Sequence, residues 1–435
     1  MSKLLILSIV FLFFIQLHAK SQTTITKWKD DKKGAVSITY DDGNRNQFKY
    51  ALPIMERLHL PATFYIITGP IIGSRYQGKF IGRPVEELVK ETETVPTNAD
   101  NYFERASAAK YLNCIGANAY YDKSAIAFEN GEIDSAYKIM DTLYEKAREG
   151  TFKKGIELSD EVAQETGLSW DSIKVFAAKG YEFASHTVTH THLAVLDTTN
   201  VFYELYKSKE DIKNHLGDQY TFDAEIPFGI EHPRALKYGF PAYEALRNMM
   251  KDTFMFEINR GYKTSPGSSN KEYVQWQRGP LSNTTLSQMQ SYIDTVLTHS
   301  NIWLVLVFHG VNGLGWEALP DTILQSYFQY IKQHMDDLWV ATFKDVAKYM
   351  RERMHADISE NENNKDITVH LTHSLDKHIY NMPLTLKTYV PAGWKKVKVI
   401  QADQQQHVQS KSDEKGNYIL YEAMPDKGEI NLSQL

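Results

Sequence analysis

Seven short runs rich in β-branched and aromatic residues alternate with amphipathic stretches over the first 342 residues, and this alternation constrains the fold more than any other feature of the chain. The runs are residues 35–40, 62–67, 181–185, 221–226, 254–258, 302–308 and 338–342. Between them, stretches such as 48–58, 170–178, 287–297 and 343–354 repeat apolar residues at three- and four-residue spacing, as a helix with one buried face does. Strands separated by helices cannot pair as hairpins. They form a parallel sheet, open or closed into a barrel, with helices outside it.

Two segments break the alternation. From about residue 84 to about 167 the chain is mostly helix-forming and polar, with tyrosine- and alanine-rich stretches, and reads as a helical insertion lying outside the sheet. At 357–366 a run of Asn, Asp and Glu reads as a linker. Beyond it the period becomes two: residues 368–372, 384–390, 396–401 and 418–422 alternate apolar and polar, with turn signals at Pro391-Ala392-Gly393 and Glu414-Lys415-Gly416-Asn417. A small antiparallel β domain is therefore expected over 367–435, after a main domain over 22–356.

Composition narrows the function classes. The 48 basic and 54 acidic residues leave a net charge of −6, which argues against a nucleic-acid partner because phosphate binding wants a basic surface. Lys3, the apolar run 4–17 and the small residues Ala19 and Ser21 read as a signal peptide over 1–21. Export to the periplasm, the cell surface or the medium follows, with no stable transmembrane span in the mature chain; an uncleaved N-terminal anchor is the alternative. Cys114 is the only cysteine, so no intrachain disulfide can form.

Three strand ends carry chemistry. Thr39-Tyr40-Asp41-Asp42-Gly43 ends the first run in two carboxylates and a glycine. Adjacent strand side chains point to opposite faces, so both acids meet one site only where the strand breaks, as Gly43 permits. Taken alone, Asp-Asp-Gly also fits a solvated turn. Ser185-His186-Thr187-Val188-Thr189-His190 follows the third run directly. Histidines four apart can share one helical face and one metal, although a surface or core role is the plain alternative and His192 is a rival ligand. The apolar run 302–308 delivers His309, followed by Gly310. One carboxylate plus two imidazoles leaves open positions on a divalent cation, as catalytic sites do. Zinc is the first choice, with cobalt, manganese or iron(II) as alternatives.

These three motifs, in this order, resemble those of the polysaccharide deacetylase family over most of residues 34–354. Thr39 to Gly43 resembles the family's Thr-Phe-Asp-Asp-Gly, Ser185 to His190 its His-Ser/Thr-x-x-His, and Val307-Phe308-His309 its Leu-x-His. The resemblance implies a distorted seven-stranded (β/α) barrel and the removal of acetyl groups from an acetylated carbohydrate, as N-acetyl amide or O-acetyl ester. It implies Asp41 as general base, Asp42, His186 and His190 as metal ligands, and His309 as general acid. It also implies an oxyanion contact from the backbone of Phe228, within Pro227-Phe228-Gly229.

Departures from the family pattern bear on the same chemistry. Where the family has Arg-x-Pro-Tyr/Phe-Gly, the arginine position holds Glu225, and a carboxylate there would raise rather than lower the pKa of the base. Either another cation replaces it as partner of Asp41, with Arg260 and Arg234 as candidates, or Asp41 is tuned differently. The family's Asp-x-x-Asp-Trp has no counterpart near Glu257 or Trp276. Trp316, in the glycine-rich stretch after His309, is a candidate to stack on a sugar face, with a packing role as the alternative. A carbohydrate-binding protein on a catalytically impaired scaffold is the second reading, and a chain whose C-terminal β domain does the binding is the third. Oligomeric state is not legible in the sequence.

Overall fold

The computed structural model describes residues 23–164, 167–220, 274–363 and 365–435. Two compact units divide the chain. The larger comprises Lys27–Met354 with Leu375–Met382, and the smaller comprises residues 23–26, His355–Ser374 and Pro383–Leu435. The first strand, β1 (Thr23–Ile25), belongs to the smaller unit.

The larger unit is built on β2 (Gly34–Tyr40), β3 (Thr63–Ile66), β6 (Glu182–Ser185), β7 (Val274–Arg278), β8 (Ile302–Phe308) and β9 (Leu338–Val340), with a short hairpin, β4 (Cys114–Ile115) and β5 (Lys153–Lys154), set apart from them. All six sheet strands run parallel, in the order β6-β3-β2-β8-β7, and β9 pairs with the first half of β2. Every residue of β2 and β8 is buried. A strand covered on both faces needs no polar alternation, and Ile-Trp-Leu-Val-Leu-Val-Phe of β8 has none.

The two faces enter different cores. Val36, Ile38 and Tyr40 with Leu304, Leu306 and Phe308 pack against α1 (Leu52–Leu58), α7 (Trp170–Ala178), α9 (Leu286–Thr298) and α10 (Asp321–Gln333). Ala35, Trp303, Val305 and Val307 pack instead with Trp28 and with Phe343, Val346 and Met350 of α11 (Phe343–His355).

Between β3 and β6 lie α2 (Val85–Glu91), α3 (Tyr102–Ala109), α4 (Asn118–Glu129), α5 (Ile133–Arg148) and α6 (Asp160–Gln164). Helices α2 to α5 have a core of their own, centred on Tyr102, Tyr121, Phe128, Met140 and Tyr144. Two polar contacts tie it to the segment after β6: Tyr121 Oη to Thr191 Oγ1 at 2.7 Å and His192 Nδ1 to Glu129 Oε1 at 2.9 Å. The long helix α8 (Thr198–Leu216) follows, N-capped by Asp197.

The smaller unit holds two antiparallel sheets. One is ordered β1-β12-β16-β15 and the other β10-β11-β17-β13-β14, using β10 (Ala356–Glu362), β11 (Asp366–His373), β12 (Leu384–Tyr389), β13 (Lys396–Gln401), β14 (Gln404–Gln409), β15 (Lys411–Asp413), β16 (Gly416–Ala423) and β17 (Ile430–Gln434). Val369, Leu371, Leu386, Val397, Val399, Ile419 and Leu432 are buried between turns of polar residues. The side-chain amides of Gln401 and Gln406 exchange hydrogen bonds with the backbone of Met424 and Glu422, joining the two sheets.

Two sequence expectations change. The stretch 357–366 is not a linker: Ala356–Glu362 is an edge strand paired with β11 over its whole length. An edge strand needs backbone pairing more than apolar side chains, which is why its polar composition misled. Val274–Arg278 is a strand that the apolar pattern did not reveal, because it carries Gln275 and Gln277. The expected strands 221–226 and 254–258 lie outside the described residues. No helix among the described residues is long and apolar enough to cross a membrane.

Candidate metal centre

The C-terminal ends of parallel strands are where such sheets place their sites, and β2, β6 and β8 end in Tyr40, Ser185 and Phe308, immediately before Asp41, His186 and His309. Asp41 continues the ladder, its N–H donating to Phe308 O at 2.9 Å. Asp42 then takes a left-handed backbone, φ 72°, and Gly43 follows at φ 77°. This reversal turns both carboxylates toward one place. A Cβ at Gly43 would stand 2.8 Å from Ile66 Cγ2, so glycine is required for space as well as for conformation.

His186 N–H donates to Ile66 O at 2.9 Å, which fixes the start of the next loop to β3. His186 and His190 are brought together by a tight turn, not by a helical face, with Thr187 at φ 68° and His190 at φ 52°. A β-branched residue in the left-handed region is a genuine outlier, of the sort that persists where surroundings over-determine it.

Asp42, His186 and His190 converge. Asp42 Oδ1 lies 3.6 Å from His186 Nε2 and 3.3 Å from His190 Nε2, and one ligand atom from each of the three lies within 4.8 Å of the others. All three residues are buried, and Asp42 Oδ1 makes no hydrogen bond. Burial pushes the Asp42 carboxyl up to about 7, with the nearby charge of Glu161 adding to the rise. Burial, then the charge of His186, holds His190 well below its ordinary value. An oxygen and two nitrogens that face one another where burial disfavours the charged forms of Asp42 and His190 fit a divalent cation.

Beside this cluster, His309 Nε2 stands 3.5 Å from Asp41 Oδ2. Burial raises the Asp41 carboxyl well above the usual carboxylate range, reinforced by Asp42, and lowers His309 to about 4 against the opposing pull of Glu317. Asp41 Oδ1 is buried without a hydrogen bond. The indole of Trp316 meets His309 edge to face at 4.7 Å between ring centres and is 55% exposed. Its loop is fastened by Gly310 N–H to Trp316 O at 2.8 Å and Asn312 N–H to Leu319 O at 3.0 Å.

Several supporting residues escaped the sequence reading. Gln47, fully buried, donates from Nε2 to Asp41 O at 2.6 Å and to His309 O at 2.9 Å, clamping two strand ends together. Glu161 of α6 brings Oε2 to 3.8 Å from His190 Nδ1, a contact supplied by the helices between β3 and β6. Glu204 of α8 accepts hydrogen bonds from the turn between the two histidines. The one available signal was a buried-side polar residue on a helix, Gln47 or Glu204, where an apolar one would ordinarily pack. His192 is not part of the cluster; it is held by Glu129. Trp276 is buried, against Tyr292 and Arg278. Glu225, Pro227, Phe228, Gly229, Arg234, Glu257 and Arg260 lie outside the described residues.

A family model described as polysaccharide deacetylase matches residues 29–95 and 121–239. A gellan lyase from a Bacillus species is 23% identical over 282 residues, which is 60% of this chain and 11% of that relative's length. Among solved structures, the Xyl-CE4 domain of a multidomain xylanase from the hindgut metagenome of Trinervitermes trinervoides aligns at 13% identity, covering 72% of this chain and 88% of that one, with a TM-score of 0.30. A Streptococcus mutans CE4 esterase aligns at 12% identity over 72% of this chain and 86% of its own, with a TM-score of 0.31.

Proposed function

We propose, from the premise that this chain carries a domain of the polysaccharide deacetylase family, that it hydrolyses acetyl groups from a carbohydrate with the help of a divalent cation. The observation that carries the reading is the convergence of Asp42, His186 and His190 within 4.8 Å, with the Asp41–His309 pair alongside. Those three residues would hold the ion, and zinc suits two imidazoles and a carboxylate best, with cobalt, manganese and iron(II) accepted by the same donors. When bound, the ion supplies Lewis acidity toward water and the acyl carbonyl.

The chain's own groups handle the protons. Asp41 takes a proton from the attacking water, and His309, as imidazolium, gives one to the departing amine or alkoxide. Both groups must therefore be ionised together, while burial favours the neutral form of each. A cation close to Asp41 favours its carboxylate. The backbone of Phe228, flanked by Pro227 and Gly229, is assigned to the oxyanion by family resemblance; Arg260, with Arg234 as the alternative, is our candidate for the cation that replaces the family arginine beside Asp41. Closure of the parallel sheet into a distorted seven-stranded barrel, and export of the chain, belong to the same proposal.

Acetate release tests it. Zinc-loaded protein is expected to release acetate from at least one of a panel of chitin-derived, peptidoglycan-derived and xylan-type glycans, and so to separate amide from ester substrates. Chelation should abolish the release, and Asp41→Asn should lower kcat by at least about 100-fold. The pH–rate profile should be a bell, falling on the acid side as Asp41 gains a proton and on the alkaline side as His309 loses one. Glycan binding with no acetate from any substrate would replace the enzyme by a carbohydrate-binding protein on the same scaffold.

A further inference from the structure

The turn that carries His186 and His190 is fastened to α8 by a single carboxylate. Glu204, buried, accepts the N–H groups of Val188 at 2.9 Å and Thr189 at 2.8 Å on Oε2, and the Thr189 hydroxyl at 2.8 Å on Oε1. One helical turn further on, Ser208 Oγ meets Ser185 Oγ at 2.6 Å. Within the turn, Thr187 N–H reaches Ser185 Oγ at 3.1 Å and His190 N–H reaches Thr187 Oγ1 at 3.1 Å. On the other side Gly69 N–H donates to Val188 O at 2.9 Å, where a Cβ would come within 2.5 Å of that oxygen.

These contacts surround a backbone with two residues, Thr187 and His190, in the left-handed region. Left to itself such a turn would relax, and the imidazoles at its two ends would part. A buried carboxylate is costly to desolvate, so its place here rests on the charge-assisted hydrogen bonds it receives. A neutral amide would present one oxygen and one NH₂ to donors that all need an acceptor.

We propose that Glu204 is the positioning residue of the metal centre: through the backbone of Val188 and Thr189 it sets the separation and aim of His186 and His190, so that affinity for the ion is built partly into α8. This rests on the reading that the two histidines hold an ion.

The test uses the full chain stripped of metal, titrated with Zn²⁺ against a chromophoric chelator and, separately, with Co²⁺ followed by its visible absorption bands. Wild type should bind one equivalent, and His190→Ala should lose it. Glu204→Gln should weaken Zn²⁺ binding by about tenfold or more, alter the Co²⁺ bands, and recover acetate release as free Zn²⁺ is raised. Thr189→Val, which removes only the hydroxyl donor, should shift affinity the same way by about threefold, and it decides the matter if Glu204→Gln does not fold. Unchanged Zn²⁺ affinity and Co²⁺ bands in both variants would overturn the proposal and leave Glu204 a fastening of the fold. A wild type that binds neither ion would overturn the metal reading itself, a distinct result.

Discussion

Trp316 shows how a residue acts by what its neighbours prevent. The loop bonds around Gly310 and Asn312 hold its indole edge-on to His309, and more than half of it remains exposed. A rigid aromatic face beside an imidazole is suited to a sugar ring, whose stacking is worth roughly 1 kcal/mol, or about fivefold in affinity. Trp316→Ala should therefore raise KM about fivefold on a soluble acetylated oligosaccharide while kcat changes less than about twofold; an equal fall in kcat would instead place the indole in support of His309. Asp41, His186 and His309 stood out as candidates because each directly follows a strand, where a polar side chain needs a reason, and Asp42 and His190 because they lie one and four positions beyond two of them. Gln47 and Glu204 were not, since both act largely on backbone atoms, Gln47 bridging Asp41 O and His309 O and Glu204 taking the Val188 and Thr189 N–H groups, and no residue spacing records such bonds. His192 shows the converse: it shares the spacing of a ligand and was placed elsewhere by a partner, Glu129, 63 positions away.

Elements were readable where burial imposed a pattern. The strands β2, β3, β8 and β9 are buried, mainly apolar runs, and β6 joins them despite Glu182 because Tyr181, Phe183 and Ala184 keep its pattern, while β7 and β10 are polar in composition and escaped. The turn after β2 is the element on which the site depends most, because one backbone reversal aims both carboxylates. Gly43→Ala adds a Cβ at 2.8 Å from Ile66 Cγ2 in a backbone of φ 77°. Strain of that kind costs about 1–3 kcal/mol. Urea unfolding of the metal-free variant should show a loss in that range, together with weaker Zn²⁺ binding as Asp42 is displaced. Loss of stability with unaltered Zn²⁺ affinity would show that the ligand geometry does not depend on this turn.

At the scale of the molecule, the chain order conceals the architecture. β1 pairs with β12, more than 350 positions later, so the smaller unit takes its first strand from ahead of the larger one, and a three-residue strand leaves no periodic trace. The larger unit in turn reclaims Leu375–Met382 from within the sequence of the smaller. That excursion is held at its end by Glu352 of α11, whose Oε1 accepts the Met382 N–H at 2.9 Å. Burial pushes the Glu352 carboxyl up from 4.5 to about 7, although the Met382 hydrogen bond opposes the rise. The folded state thus resists an ionisation that the unfolded chain permits. Below about pH 4.5 both states hold the proton and the stability is intact; between there and about 7 the unfolded chain ionises first and stability is lost, until above 7 the loss is complete. The difference corresponds to roughly 3 kcal/mol. Glu352→Gln keeps an acceptor for Met382 and has no proton to lose, so its Tm should match wild type near pH 4 and exceed it by several degrees near pH 8. A variant that gains nothing at pH 8 would mean that Glu352 ionises in the folded protein as readily as in the unfolded chain, and that its burial is answered by charge nearby.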